Sequence, residues 1–279
     1  MSTGLRVQPV GEAVVRVFTM YELSFHLAEA FNVPESVWRP DYAQYFERPM
    51  LFPTQGIHIT LPGMSLLIDT PIYDLTPDSP FYAPDAQPRP GLLEQLAEQG
   101  IAPEDVTQVV ITHTHFDHIN GATIEQEGQL KPRFPRAHYY LGRADWESNQ
   151  KKLLQPDSLF SRTMGALEKQ GVLEFVETAT ELGPGVTIIP APGESKGHQI
   201  VRIHSGGQTL YCIGDLYHHP VEAEHPDWMQ AGIDVEANLQ SRAAFVPRAL
   251  DEDALLIATH IPGIGRLRRT ASGGVWEAA

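Results

Sequence analysis

The chain has 279 residues, 42% hydrophobic and 20% charged, with 35 acidic against 20 basic side chains and a formal charge of −15. That balance is ordinary for a globular protein and argues against disorder, and the length suits one large domain over residues 1–279. No Lys/Arg cluster offers a face for phosphates and no run approaches the roughly 20 apolar residues that cross a bilayer, so neither nucleic acid nor a membrane is expected as a partner.

From Met1 to Met20 there is no continuous apolar core behind a basic start, which argues against a secretory leader. Within that stretch Val7, Val10, Val14, Val15 and Val17 alternate loosely and read as one or two strands. Residues 21–52 are aromatic and weakly periodic (Tyr21, Phe25, Phe31, Trp38, Tyr42, Tyr45, Phe46, Phe52), which reads as a helical flap on the core. A sharper reading of the same segment is a lid over a substrate pocket or a homodimer surface. Ile57–Leu61 and Ser65–Asp69 flank Pro62-Gly63 and read as a hairpin. The proline-rich stretch 71–90 reads as a loop. A short amphipathic helix then starts near Pro90, with Leu92, Leu93, Leu96 and Ala97 on one face and Gly100 at its stop.

The apolar run Val109-Val110-Ile111 leads directly into Thr112-His-Thr-His-Phe-Asp-His118. Few short peptides carry so many metal-ligand side chains. In an extended segment alternate residues point the same way, so His113 and His115 can face one ion. A turn at Phe116 would let Asp117 and His118 face a second. Downstream, His138–Leu141 reads as a strand, Arg143–Leu154 and Ser158–Gln170 as helices, and Val172–Val176 as another strand. Three further β-rich runs end in candidate ligands: Val186–Ile189 before Glu194, Thr209–Ile213 before Asp215, and Leu255–Thr259 before His260. Strands alternating with helices indicate a layered α/β protein. The single cysteine, Cys212, excludes a disulfide within the chain and fits a reducing cytoplasm.

The His-x-His-x-Asp-His segment resembles the signature of the metallo-β-lactamase superfamily, the metallohydrolase fold of glyoxalase II, lactonases and phosphotriester hydrolases. The resemblance covers roughly residues 50–265 and implies a four-layer αβ/βα sandwich with two metal ions at one edge of its sheets. It implies His113 and His115 as ligands of the first ion, Asp117, His118 and His260 as ligands of the second, Asp215 as the bridge, and Asp69 as a support for the metal loops. One position departs from the pattern. Where relatives often read Gly-His-Thr-Pro-Gly-His, this chain reads Gly193-Glu-Ser-Lys-Gly-His198. Glu194 is expected to ligate in the missing histidine's place, the alternatives being that His198 swings in or that the first ion binds weakly.

Zinc is the expected metal, with Mn or Fe made more competitive by the extra carboxylate. The expected activity is hydrolysis of a small, neutral ester, lactone or phosphotriester by a hydroxide shared between two ions, whose pKa they lower toward ~7. Asp117 would pass on the proton. In related lactonases a tyrosine three residues past the bridging aspartate helps hold the substrate oxygen; here that place is His218, with Tyr217 beside it. Phe134–Trp146 resembles the lactonase and methyl parathion hydrolase branch more than glyoxalase II. The competing reading is an iron-dependent redox enzyme on the same fold, since a carboxylate ligand also suits iron.

Overall fold

The computed structural model describes residues 5–71, 90–270 and 273–279, so the loop expected over 71–90 falls almost wholly outside the described residues. The chain opens with strands β1 (Arg6–Val10), β2 (Ala13–Phe25), β3 (Met50–Leu61), β4 (Met64–Ile68) and β5 (Gln108–Val110). A small hairpin, β6 (Thr123–Gln126) and β7 (Gln129–Pro132), precedes β8 (His138–Gly142) and β9 (Leu173–Val176). The second half supplies β10 (Thr180–Gly183), β11 (Val186–Pro190), β12 (Gln199–Ser205), β13 (Gln208–Cys212), β14 (Leu255–Ile257), β15 (Gly265–Thr270) and β16 (Gly273–Ala278). They form two sheets of seven strands, ordered β1-β2-β3-β4-β5-β8-β9 and β10-β11-β12-β13-β14-β15-β16.

Helices α1 (Leu27–Ala30) and α2 (Glu35–Phe46) lie between β2 and β3, and α3 (Leu92–Glu98) lies between β4 and β5. The turn of α4 (Phe116–Ile119) follows β5. Between β8 and β9 come α5 (Arg143–Ser148), α6 (Gln150–Leu153), α7 (Leu159–Arg162) and α8 (Met164–Lys169). Each of the two helices expected there is thus broken, at Asn149 and at Thr163, whose φ −106 and ψ −86 leave the helical region. Finally α9 (Val221–Glu224) and α10 (Val235–Asp251) separate β13 from β14. No described helix is long and apolar enough to cross a membrane.

The layering follows from the parity of the apolar runs. A strand with apolar side chains on both faces must be covered on both. Leu66 and Ile68 of β4 pack into the cluster between the sheets, whereas Leu67 packs outward with Leu92 and Leu96 of α3. Leu210 and Cys212 of β13 likewise face inward, and Tyr211 meets Phe245 and Ala249 of α10. Leu255 and Ile257 of β14 face in and Leu256 out. The result is helix, sheet, sheet, helix: the four-layer α/β sandwich. The second half departs from the expected alternation of strand and helix, since β10 to β13 form an antiparallel run, with tight turns between β10 and β11 and between β12 and β13 and the longer loop 191–198 between β11 and β12.

Strand direction brings the ligand-bearing loops together. In the first sheet β4, β5, β8 and β9 are parallel. In the second, β11 and β13 each run antiparallel to β12, and β13 runs parallel to β14. The ends of β4 and β5, and those of β11, β13 and β14, therefore point the same way within their sheets. The aromatic segment is less irregular than its composition suggests: β2 continues through Tyr21 and Leu23, and Phe52 lies in β3. Helix is confined to α1 and α2, the latter kinked near Pro40 with Tyr42 at φ −125, and Trp38 and Phe46 stack at 5.0 Å and cover Trp228.

Two measurements bear on this core. Ile203→Ala empties a fully buried position between the sheets, so a loss of about 2–5 kcal/mol in urea unfolding is expected. His58, buried on β3 with Nε2 2.8 Å from Ser65 Oγ, is held at about 4 by burial and then by the Arg16 charge, against an ordinary 6.5. A depressed value means that the neutral ring's contribution is whole above pH 6.5 and is lost as pH falls toward 4. His58→Gln should therefore narrow the difference in urea midpoint between pH 7 and pH 4.5, and an unchanged difference would refute the assignment.

Candidate metal centre

Five segments leaving strand ends meet at one edge of the sandwich: Asp69 after β4, residues 112–118 after β5, 193–198 after β11, 214–218 after β13, and His260 after β14. Their side chains form two groups of possible ligand atoms, each group lying within 4.8 Å of itself. The first holds His113, His115, Glu194 and Asp215; the second holds Asp117, His118 and His260. Asp215 Oδ2 links them, at 3.7 Å from His113 Nε2, 3.4 Å from His118 Nε2 and 3.1 Å from His260 Nε2. Glu194 Oε1 stands 3.3 Å from His115 Nδ1, and Asp117 Oδ2 stands 3.4 Å from His260 Nε2.

The outward nitrogens of His113, His118 and His260 are anchored, which fixes the tautomer and turns the other nitrogen inward. His118 donates Nδ1–H to Asp69 Oδ2 at 2.7 Å, and His260 donates Nδ1–H to the Pro53 carbonyl at 2.8 Å. The Thr112 hydroxyl donates to Asp69 Oδ2 at 2.8 Å and can accept from His113 Nδ1–H at 3.2 Å. Asp69 also accepts from Thr112 N–H at 2.7 Å. Its backbone sits at φ 59, a left-handed conformation disfavoured for a non-glycine residue and maintained here by those bonds.

His198 is not available as a ligand. It donates Nδ1–H to the Ala191 carbonyl at 2.9 Å, and its Nε2 accepts the Asp215 N–H at 3.2 Å, so both ring nitrogens are committed. Burial, the largest influence, holds it at about 4, in the neutral form this arrangement needs. The ring thus orients Asp215, and the alternative in which His198 replaces Glu194 is removed. Close approach explains two glycines. At Gly214 (φ +52) a Cβ would come within 2.8 Å of His198 Nε2, and at Gly193 (φ +147) within 2.4 Å of Asn238 Cα on α10.

The interior of this cluster is short of hydrogen-bond partners. His113 Nε2, His118 Nε2, both Glu194 oxygens and Asp215 Oδ1 are buried with no hydrogen-bond partner. Burial pushes the Glu194 carboxyl up to about 7. Burial disfavours the imidazolium of His118, yet the carboxylates of Asp215, Asp69 and Asp117 outweigh it and raise that ring well above its ordinary value. For His218 the same contest, with Glu194 and Asp215 as the carboxylates, ends at about 9. Unpaired buried polar atoms are costly, and divalent cations would satisfy all of these at once, so the donor set fits a pair of metal ions.

A cavity of about 440 Å³ opens onto the cluster, with Tyr21, Leu23, Phe52 and Phe116 as an apolar wall and Thr54, Gln230 and His218 as polar contacts. Tyr217 does not reach it. Its ring lies in the apolar cluster behind β13, 4.4 Å under the Arg242 guanidinium, and burial pushes its hydroxyl up to about 12. The substrate-holding role expected for Tyr217 is therefore withdrawn; residue 217 points to the core because its neighbour 218 points to the cavity.

Sequence reasoning missed a central residue. Asp145, fully buried on α5, accepts from Thr114 N–H (3.1 Å) and Oγ1–H (3.3 Å), from Ser195 Oγ–H (2.8 Å) and from Gly197 N–H (2.7 Å). It ties the loop carrying His113 and His115 to the loop carrying Glu194. Nothing local in Arg143-Ala-Asp-Trp146 signals this, because all four bonds are made to distant segments.

Comparison with known proteins agrees with this geometry. Residues 82–260 match the family model of the metallo-beta-lactamase superfamily. A probable metallo-hydrolase of Mycobacterium tuberculosis is 23% identical over 198 residues, 63% of this chain and 61% of that protein. An N-acyl homoserine lactonase of Bacillus cereus is 27% identical over 155 residues, 52% of each. These matches span between half and about three fifths of the curated relatives' length. Among solved structures, a dizinc quorum-quenching lactonase in complex with an N-hexanoyl-L-homoserine product superposes with TM-score 0.74 at 21% identity, covering 99% of this chain and 97% of that one. On its family match, and with the sandwich and the ligand loops in the order that match implies, the chain belongs to the metallo-beta-lactamase superfamily.

Proposed function

We propose that this protein is a dinuclear metal-dependent hydrolase acting on a small, neutral ester, lactone or phosphotriester. The observation that carries the reading is the convergence of seven candidate ligand side chains, four of which (His113, His118, Glu194 and Asp215) have buried inward atoms without hydrogen-bond partners. His113, His115 and Glu194 would hold the first ion, Asp117, His118 and His260 the second, and Asp215 both. Zinc suits this set, and Mn or Fe become competitive through the carboxylate at 194. Two ions bound there supply a water acidified toward neutral pH and an electrophile for a carbonyl or phosphoryl oxygen.

The chain's own groups do the rest. Asp117, the most exposed carboxylate of the cluster at 20%, can take a proton and release it to solvent. Tyr21, Leu23, Phe52 and Phe116 seat the apolar part of a substrate and exclude water from the reacting end. Two divalent ions against Asp117, Glu194 and Asp215 leave a net +1, where a histidine at 194 would leave +2. The lower charge favours a neutral substrate and acidifies the bound water less. The N-acyl homoserine lactonases among the similar proteins make an acyl lactone the first compound to try.

Protein purified without added metal and then loaded with Zn, Mn or Fe should hydrolyse at least one member of a panel of lactones, aryl esters and phosphotriesters. Asp215→Ala should abolish that activity, and a fully active variant would remove Asp215 from the centre. Glu194→His should tighten zinc binding and lower the pH at which the rate levels off. If neither chelator competition nor the pH profile moves, Glu194 is not a ligand.

A further inference from the structure

Beyond the seven ligands, one more imidazole faces the same interior. His218 Nε2 stands 3.7 Å from Glu194 Oε2 and 3.5 Å from Asp215 Oδ2. Groups within the two ligand clusters stand 3.3 Å (His115–Glu194), 3.4 Å (His260–Asp117) and 3.7 Å (His118–Asp117) apart. Two ligands each about 2.0–2.1 Å from a common ion at a tetrahedral angle are about 3.3–3.4 Å apart. His218 therefore keeps the spacing of a ligand to both carboxylates of the first position.

The ring is not a satisfied core histidine. Its Nδ1 is buried with no hydrogen-bond partner, and the ring lies parallel to Phe52 (6.2 Å, 8°) and His260 (5.7 Å, 10°), which stack on each other at 4.3 Å. The loop that presents it is fixed instead through its backbone. Glu222 Oε2 accepts the N–H groups of His218 and His219 at 2.5 and 2.8 Å, and Glu222 Oε1 accepts from Arg242 Nη2 at 2.6 Å. Arg242 also donates to the Leu216 carbonyl at 2.8 and 3.0 Å and to the Pro226 carbonyl at 2.9 Å. Both members of this ion pair are buried, an arrangement that is costly to desolvate and gives little net stability. What it achieves is a loop locked in the one position that drives the His218 imidazole toward Glu194 and Asp215.

We propose that His218 is an additional metal ligand, an imidazole that completes the first position where Glu194 stands in a histidine's place. The proposal rests on the metal-centre reading above. It gives the first position three imidazoles and two carboxylates, more than a tetrahedral zinc takes, and so suits ions that accept five or six ligands, such as Mn²⁺ and Fe²⁺.

The test uses the full chain, labelled with ¹⁵N-histidine and loaded with ¹¹³Cd, with His218→Gln to assign the ring. A one-bond ¹¹³Cd–¹⁵N splitting at His218 Nε2 is expected. Two bound cadmium ions with that nitrogen unsplit would overturn the proposal while leaving the metal centre intact; a protein that takes up no metal would overturn both. In equilibrium dialysis with Mn²⁺, His218→Gln, with an unchanged far-ultraviolet spectrum, should bind the first ion about a hundredfold more weakly and keep the second. Two ions held at wild-type affinity, with only KM raised, would make His218 a substrate contact instead.

Discussion

Asp215 Oδ2 lies between 3.1 and 3.7 Å from four imidazole nitrogens, those of His113, His118, His218 and His260, in a site closed to water on most sides. A carboxylate there is tolerable only with positive charge beside it. Burial would otherwise favour its protonated form, yet the rings of His260 and His118 hold it well below the usual carboxylate range. Without metal, His118 and His218, both raised above their ordinary value by the neighbouring carboxylates, supply compensating charge; bound cations would take over that part and leave the rings as neutral donors. The other ligands are arranged around this one atom. His198 and Gly214 set where its backbone emerges, and Asp69, Thr112 and Pro53 turn the surrounding rings toward it.

Much of the fold's functional expense goes into that placement. Asp69 holds a left-handed backbone at the end of β4 so that its two oxygens can serve Thr112 and His118 together. Asp145 and the Glu222–Arg242 pair are buried charges used to fix loops, one for each sheet's contribution. In the first sheet Asp145 holds the histidine loop against 194–197; in the second, Arg242 reaches from α10 to the loop after β13. An apolar substitute for Asp145 or for Glu222 would leave the backbone N–H groups that each accepts without a partner, and neither loop would then have a defined backbone position.

The sequence made the sheets and the candidate ligands readable because both signals are local. Parity of apolar residues reports a doubly covered strand wherever it occurs, as at Leu66–Ile68 and Leu210–Cys212, and His-x-His-x-Asp-His places four candidate ligand side chains within six residues. Glu194, Asp215 and His260 were legible as polar residues at the ends of such runs. What stayed hidden depends on contacts between distant segments. Asp145 looks like any acidic residue in the first turn of a helix, and Glu222 and Arg242 meet across 20 positions. Tyr217 and His218 adjoin in sequence but face opposite ways, which only the path of the loop after Asp215 decides. The helices expected over 143–154 and 158–170 failed at Asn149 and Thr163 because tertiary packing outweighed propensity over such short spans.

The substitution of glutamate for histidine at 194 connects the centre to the rest of the molecule. The chain as a whole carries −15, so its long-range field repels anions, and salt screens that repulsion only beyond about 8–10 Å. A strongly cationic site could reverse this locally and capture an anionic substrate. In the reading proposed above, Glu194 reduces the ions' surplus to a single charge, leaving an anion little reason to enter. A neutral molecule neither gains nor loses by the outer field. Its affinity would come from the wall of Tyr21, Leu23, Phe52 and Phe116, and the remaining charge would be spent on polarising its carbonyl or phosphoryl oxygen. In that reading net charge, cavity lining and ligand choice would select the same class of substrate, although each arises from a different part of the chain.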